Sequence, residues 1–214
     1  PLARELSLLL ACGMPVFAMG LLEDLTKRVS PVSRLGAAAV SALLAALVLG
    51  TVIDRTDIWG LDLIASTTVG AIALAVFAVA GISNAINIID GFNGLASMCA
   101  EMIFLALAYV AFQVGDGVVF SLALAGAGAV LGFFIWNYPA GLIFLGDGGA
   151  YFIGFMLAEV ALLLLVRNQQ VSPLFPLLAC IYPVFETVFS MYRRKVIRGR
   201  SVGMPDGLHL HSLV

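Results

Sequence analysis

Seven times the chain runs through about 20 predominantly apolar residues, the length that a helix needs to cross a bilayer. The runs cover roughly residues 5–22, 35–53, 61–83, 95–114, 118–136, 149–166 and 172–192. In lipid the backbone must satisfy its own hydrogen bonds, which leaves helices and closed barrels as the only spanning structures. A barrel strand alternates apolar and polar residues, and stretches such as residues 158–166 do not. The expectation is an all-α fold: a polytopic transmembrane helix bundle with about seven spanning helices. Composition agrees, with 62% hydrophobic and 11% charged residues and a mean hydropathy of +1.08. A soluble domain carries about 25% charged residues, so this chain cannot build a water-facing surface around all its helices.

The runs are joined by short connections without repeats or low-complexity tracts, so residues 1–214 read as a single integral membrane domain. The chain starts at Pro1 and stops at Val214, shows no recognisable signal peptide, and is expected to be truncated at both ends. Cys12, Cys99 and Cys180 each lie in an apolar run, unpaired at metal-ligand spacing, and read as packing residues. The net charge of −2 says little about partners because the charges are unevenly placed, but no basic block large enough for nucleic acid appears outside the loop after the seventh run, so nucleic acid is not expected as a partner.

Counting sides gives an orientation. The connections after the first, third, fifth and seventh runs carry Lys27, Arg28, Arg34, Arg193, Arg194, Lys195, Arg198 and Arg200; the other side carries Arg4, Arg55 and Arg167. The positive-inside rule makes the first side cytoplasmic. That side also collects four polar constellations, whereas the other holds an unremarkable 54–57 stretch, Asp116 and Asn168-Gln-Gln. A transporter for an anionic substrate, or a flippase, is an alternative reading, but it would place polar groups near the midplane. A non-catalytic assembly subunit would not need the polar constellations at all.

Glu23 and Asp24 end the first run, where helix C-termini carry partial negative charge, so a cation or the adjacent Lys27 and Arg28 must compensate. Asn84, Asn87, Asp90 and Asn93 recur at every third position, with Gly91 and Gly94 between and after them. Such a strip suits oxygen ligation of magnesium or recognition of a polar heterocycle; the plainer reading is an Asn/Gly connection. Asp147, between Gly146 and Gly148-Gly149, precedes the sixth run, where exposed N–H groups favour phosphate and the carboxylate could hold Mg²⁺ or simply cap the helix. Arg198 and Arg200 follow the seventh run as a diphosphate clamp or a topology signal, and His209 and His211 can act together only in an extended segment. Glu101, Glu159 and Glu186 are carboxylates inside the runs, functional candidates by default, with interior packing preferred for Glu159.

Together these motifs resemble the polyprenyl-phosphate N-acetylhexosamine-1-phosphate transferase superfamily of bacterial envelopes. The resemblance rests on Leu22-Glu-Asp24-Leu-Thr-Lys27 with Ser30-Pro-Val-Ser-Arg34, on residues 84–96, on Leu145-Gly-Asp147-Gly-Gly149, and on Pro205-Asp-Gly-Leu-His209-Leu-His211, in that order over nearly the whole chain. It implies a Mg²⁺-dependent enzyme, with Mn²⁺ as a substitute, in which undecaprenyl phosphate attacks the β-phosphorus of a UDP-N-acetylhexosamine such as UDP-N-acetylglucosamine and releases UMP. By that resemblance Asp147 and Asn87 hold the metal. Glu23 and Asp24 lie near the lipid phosphate with Lys27, and Asp90 belongs to the catalytic strip. Asn93 reads the uracil, Asn84 borders the substrate, and Arg198, Arg200, His209 and His211 meet the diphosphate and sugar. The implied setting is the bacterial inner membrane, with the site facing the cytoplasm and a homodimer left open. The implied product starts an envelope polysaccharide such as lipopolysaccharide or O-antigen. The tail carries no peptide-recognition feature, which leans away from the peptidoglycan branch. The chain departs from the family in having Glu23 where a first aspartate is common, and Glu186 where an aspartate is common.

Overall fold

A computed structural model describes residues 2–193, and among them every regular element is a helix. In chain order these are α1 (Leu2–Thr26), α2 (Pro31–Leu49), α3 (Leu61–Ala65), α4 (Thr68–Ile89), α5 (Leu95–Gln113), α6 (Gly117–Asn137), α7 (Gly146–Arg167), α8 (Leu174–Ala179) and α9 (Ile181–Tyr192). Six of them (α1, α2, α4, α5, α6 and α7) are long and apolar enough to cross a membrane.

Two of the seven expected spans are built differently. The third run begins with the five-residue α3 and restarts at α4, where the Thr67 hydroxyl accepts the Gly70 N–H at 3.1 Å and caps the new helix. That restart carries α4 on to Ile89, so Asn84 and Asn87 occupy its last two turns. The seventh run divides at Cys180 into α8 and α9. Pro176 and Pro183 have no N–H to donate and each sits in the first turn of its helix, where none is needed.

Helix α7 is the centre of the bundle. Its apolar window is 67% buried, against 28% for α1 and α6. It packs on α1 and α4 along one flank and on the α5–α6 hairpin along the other, while α2 closes the α1–α4 side and α9 lies against α4. Small residues permit this crowding. The buried positions of α2 are Ala37, Ala38, Ser41, Ala42, Ala45 and Ala46, a face with almost nothing projecting from the backbone. Ser41 also accepts the Val16 N–H at 3.0 Å, next to Pro15 in α1, so a neighbouring helix satisfies the backbone beside the proline. Glu159 of α7 is fully buried. Glu186 of α9 is fully buried too.

Two glycines set the depth at which α7 is held. A Cβ on Gly20 of α1 would lie 2.6 Å from Gly148 Cα, and one on Gly154 would lie 2.6 Å from Ser83 Cα of α4. Both obstacles are backbone and cannot swing aside. Gly20→Ala is therefore expected to cost about 1–3 kcal/mol by overpacking, and to lower the thermal midpoint in detergent. Gly36→Ala in α2, which would meet nothing within 4 Å, should leave the midpoint unchanged or raise it, because alanine is the better helix former by about 1 kcal/mol. Equal midpoints for the two variants would overturn this account.

Candidate active site

The C-terminal ends of α1, α4 and α6 and the N-terminal ends of α2, α5 and α7 meet at one end of the bundle. The site is assembled there from pairs of helices, beginning with α7. The residue preceding α7, Leu145, offers no side-chain cap. The cap comes from α1: the Asp24 carboxylate accepts the Asp147 N–H at its Oδ1 and the Gly148 N–H at its Oδ2, each at 2.9 Å. A helix N-terminus carries unsatisfied donors and partial positive charge, and a carboxylate answers both. Gly146 makes the approach possible, since its φ is +67° and a Cβ there would stand 2.6 Å from Asp24 Oδ2. Lys27 Nζ lies 3.7 Å from Asp24 Oδ1 and remains largely exposed. Two of the N–H groups that the sequence suggested for phosphate, those of Asp147 and Gly148, are thus already engaged by Asp24. Glu23 points elsewhere: its Oε2 accepts the Val29 N–H at 2.7 Å and closes the α1–α2 connection.

Helices α4 and α7 run antiparallel and are joined by two polar rungs. Asn87 Nδ2 donates to Asp147 Oδ1 at 2.8 Å, and one turn deeper the Tyr151 hydroxyl donates to Asn84 Oδ1 at 2.9 Å. The other Asp147 oxygen accepts from Arg34 Nη1, one turn into α2, in an ion pair that is mostly shielded from solvent. The Arg34 guanidinium also sits 5.8 Å from the centre of the Tyr151 ring, and its Nε has no hydrogen-bond partner among the described residues. Asp147 therefore carries one cationic and one amide partner, on a helix whose start is fixed by a second aspartate.

Asp90 follows α4 and is half-buried. Burial first, and then the negative charge of Asp24, push its carboxyl up to about 7. Asp90 also lines a small cleft with Gly91, Phe92, Asn93, Phe144 and Leu145, of about 80 Å³. Asn93 is exposed and donates to the Pro139 carbonyl at 3.2 Å. The floor is held by buried Asn137, whose Oδ1 accepts the Gly94 N–H and whose Nδ2 donates to the Ile143 carbonyl at 2.8 Å. Among the described residues no three His, Cys, Asp or Glu side chains form a ready metal cage.

The amino-acid pattern of residues 6–165 matches the model of glycosyl transferase family 4. The chain belongs to that family. The four-motif resemblance is borne out to this extent, the tail motif lying beyond the matched residues. Among curated relatives, a probable undecaprenyl-phosphate N-acetylglucosaminyl 1-phosphate transferase of Bacillus subtilis is 33% identical over 142 residues, which is 66% of this chain and 39% of that protein. A phospho-N-acetylmuramoyl-pentapeptide-transferase of Streptococcus thermophilus is 30% identical over 65% of this chain and 42% of its own length. A protein of the same description from Streptococcus pneumoniae is 32% identical over the same shares. The chain thus matches about two-fifths of the length of these relatives.

In this family 4 chain the structure joins Asp24, Lys27, Asn87 and Asp147 in one network of contacts, and links Asn84 to it through Tyr151. Asp90 and Asn93 share the adjoining cleft, and Glu23 turns back to its own loop. Arg198, Arg200, His209 and His211 lie outside the described residues. Arg34, Tyr151 and Asn137 were not singled out from sequence as site residues. A helical register of four from Asp147 would have pointed to Tyr151; Asn137, alone at the end of an apolar run, gave only its polarity as a signal.

The Asp90 environment sets a pH dependence. An unfolded aspartate ionises near pH 3.9, whereas the folded one holds its proton to about 7. Between these values the folded state binds more protons, so this group's contribution to stability falls as pH rises through the window and is flat beyond it. The difference in thermal midpoint between wild type and Asp90→Asn, measured in chelator from pH 4 to 8, should drift toward the variant up to about pH 7. A pH-independent difference would refute the assigned environment.

Proposed function

We propose that the protein transfers an N-acetylhexosamine 1-phosphate from a UDP-sugar to undecaprenyl phosphate at the cytoplasmic face of a bacterial inner membrane. A phosphate oxygen of the lipid attacks the β-phosphorus, the bond to UMP breaks, and UMP leaves with the electron pair. UDP-N-acetylglucosamine is the first substrate to test, on the description of the Bacillus subtilis relative, with the product starting an envelope polysaccharide such as lipopolysaccharide or O-antigen. The observation that carries the reading is the network of Asp24, Arg34, Asn87 and Asp147 at one bundle end beside the Asp90–Asn93 cleft, in a family 4 chain.

The chemistry asks for positioning and charge neutralisation more than covalent help, because two anionic phosphates must meet. Asp147, the Asn87 amide oxygen and Asp90 would hold a Mg²⁺ ion, with Mn²⁺ as a substitute. The residues fit such an ion: Asp90 is an under-compensated acid beside another acid, and Mg²⁺ is commonly held by one or two carboxylates together with substrate phosphates rather than by a full protein cage. The ion would supply neutralisation of the phosphate charge. Asp24 acts by fixing the start of α7, and hence the Asp147 carboxylate. Arg34 is the resident counter-charge of Asp147 and would turn to a substrate phosphate when that carboxylate serves as a ligand. Asn93, at the rim of a cleft that also contains Phe92 and Phe144, is suited to the uracil.

UMP release, followed with undecaprenyl phosphate, Mg²⁺ and a panel of UDP-sugars that includes the muramoyl-pentapeptide, tests the reading. UDP-N-acetylglucosamine should be turned over, and Asp147→Asn should lower the rate by about 10²-fold or more. No release from any sugar, or an unaffected variant, would overturn the reaction. Asn93→Ala should raise KM for the nucleotide sugar and leave that for the lipid unchanged; parallel increases would remove it from the uracil site. Arg34→Met should bind Mn²⁺ several-fold more tightly by electron paramagnetic resonance, since it deletes the competing cation. Unchanged or weaker binding would show that Arg34 is no competitor.

A further inference from the structure

The end of the bundle opposite Asp147 carries an apolar projection that the transfer reaction does not use. Between α2 and α4 the chain passes through residues 50–67. Trp59 is 97% exposed and Leu63 is 74% exposed, with Ile58, Leu61 and Ile64 exposed beside them. A loose loop with that composition would fold its apolar side chains away from water, but this one is fixed. Asp62 Oδ1 accepts both the Thr56 N–H at 2.6 Å and the Thr56 hydroxyl at 2.7 Å. Asp57 and Gly60 turn the chain with φ of 57° and 88° on either side of Ile58 and Trp59. The base is tied down as well. The Ile53 N–H donates to the Ala71 carbonyl of α4 at 3.2 Å, and Arg55 Nη2 donates to the Val171 carbonyl at 2.5 Å.

These ties settle the level of the segment. Ile53 is held beside the first turn of α4, and Arg55 beside the connection that follows α7, so the projection stands where the spanning helices end. Val69 in the first turn of α4 and Leu47 and Val48 in the last turn of α2 are exposed too, so the ends of the spans that flank the projection are also apolar on their outside. Exposed Asp54, Asp57, Ser66 and Thr67 give the projection polar company. An apolar surface flanked by apolar span ends, tipped by a tryptophan and bordered by polar groups, has the chemistry of the headgroup–acyl boundary. We propose that residues 58–64 form an interfacial anchor that inserts Trp59 and Leu63 into the leaflet opposite the active site and fixes the bundle's height in the bilayer. The occupant of this surface is phospholipid; the acidic border favours a zwitterionic headgroup over an anionic one.

The chain has two tryptophans, and Trp136 ends α6 at the active-site end. Trp136→Phe therefore isolates Trp59, and the difference between wild type and Trp59→Phe reads the same residue if the first variant folds poorly. With one chain per phosphatidylcholine nanodisc, Trp59 emission should be blue-shifted from that of indole in water. It should be quenched more by lipids brominated near the carbonyl than by those brominated deep in the acyl chain. Water-like emission without bromolipid quenching would overturn the anchor. Shielded emission that no bromolipid quenches would also overturn it, since protein rather than lipid would then cover the segment. A second copy as occupant would show as a blue shift present only in discs loaded with two chains, and would equally refute the lipid assignment.

Discussion

The position of Asp147 depends on a cap that α7 does not provide for itself. Asp24 reaches across from the end of α1 and accepts two N–H groups of the first turn of α7, so the helix dipole and the orphan donors are answered by a neighbour. A cap on the same chain segment would fix only that helix. This one fixes the angular setting of α7 against α1, and with it the direction in which Asp147 presents its carboxylate. It also explains two acids where a helix C-terminus disfavours them. Asp24 serves the positive end of α7, and Glu23 serves the Val29 N–H of the following turn.

The glycine contacts make that cap accurate. Gly20 against Gly148 brings α1 and α7 together one turn below Asp24, and Gly154 against Ser83 brings α7 and α4 together beneath the Asn84–Tyr151 rung. Close backbone approach in the spans substitutes for the hydrophobic drive that helices in lipid lack. The short polar side chains then meet at hydrogen-bonding distance without long flexible stems. The site's geometry is therefore a consequence of small residues deeper in the bundle as much as of the acids and amides at its end.

Much of this was legible in the sequence because lipid penalises unsatisfied backbone so severely. Long apolar runs had to be helices, and six of them are long and apolar enough to span. The strip from Asn84 to Asn93 stood out because its three amides and one acid recur at every third position. What stayed hidden were relations across helices. That Asp24 caps α7 rather than being paired only within its own segment depends on which helices touch, and sequence spacing does not carry that. Tyr151 hid within an apolar run, where an aromatic reads as core, and its role follows from lying four residues beyond Asp147 and opposite Asn84. The break at Cys180 was masked because each half of the run is apolar, and only the placement of Pro176 and Pro183 hinted at two short helices.

The two ends of the bundle hold the same kind of residue in opposite conditions. Asp116, buried at the end away from Asp147, accepts five hydrogen bonds: from the Val118 and Val119 N–H groups, twice from Arg167, and from Asn168. Burial raises its carboxyl, yet the bonds from Arg167, Asn168 and Val119 outweigh that and hold it below the usual range. Every demand of that charge is met within the chain, as befits a clamp between the α5–α6 turn and the end of α7. Asp90 is half-buried beside another carboxylate and is pushed the other way. Acids pushed out of their ordinary range by burial and a like charge cluster where charge has to be received from outside. The contrast between Asp116 and Asp90 supports the proposal that the chemistry lies at the Asp90 end of the bundle.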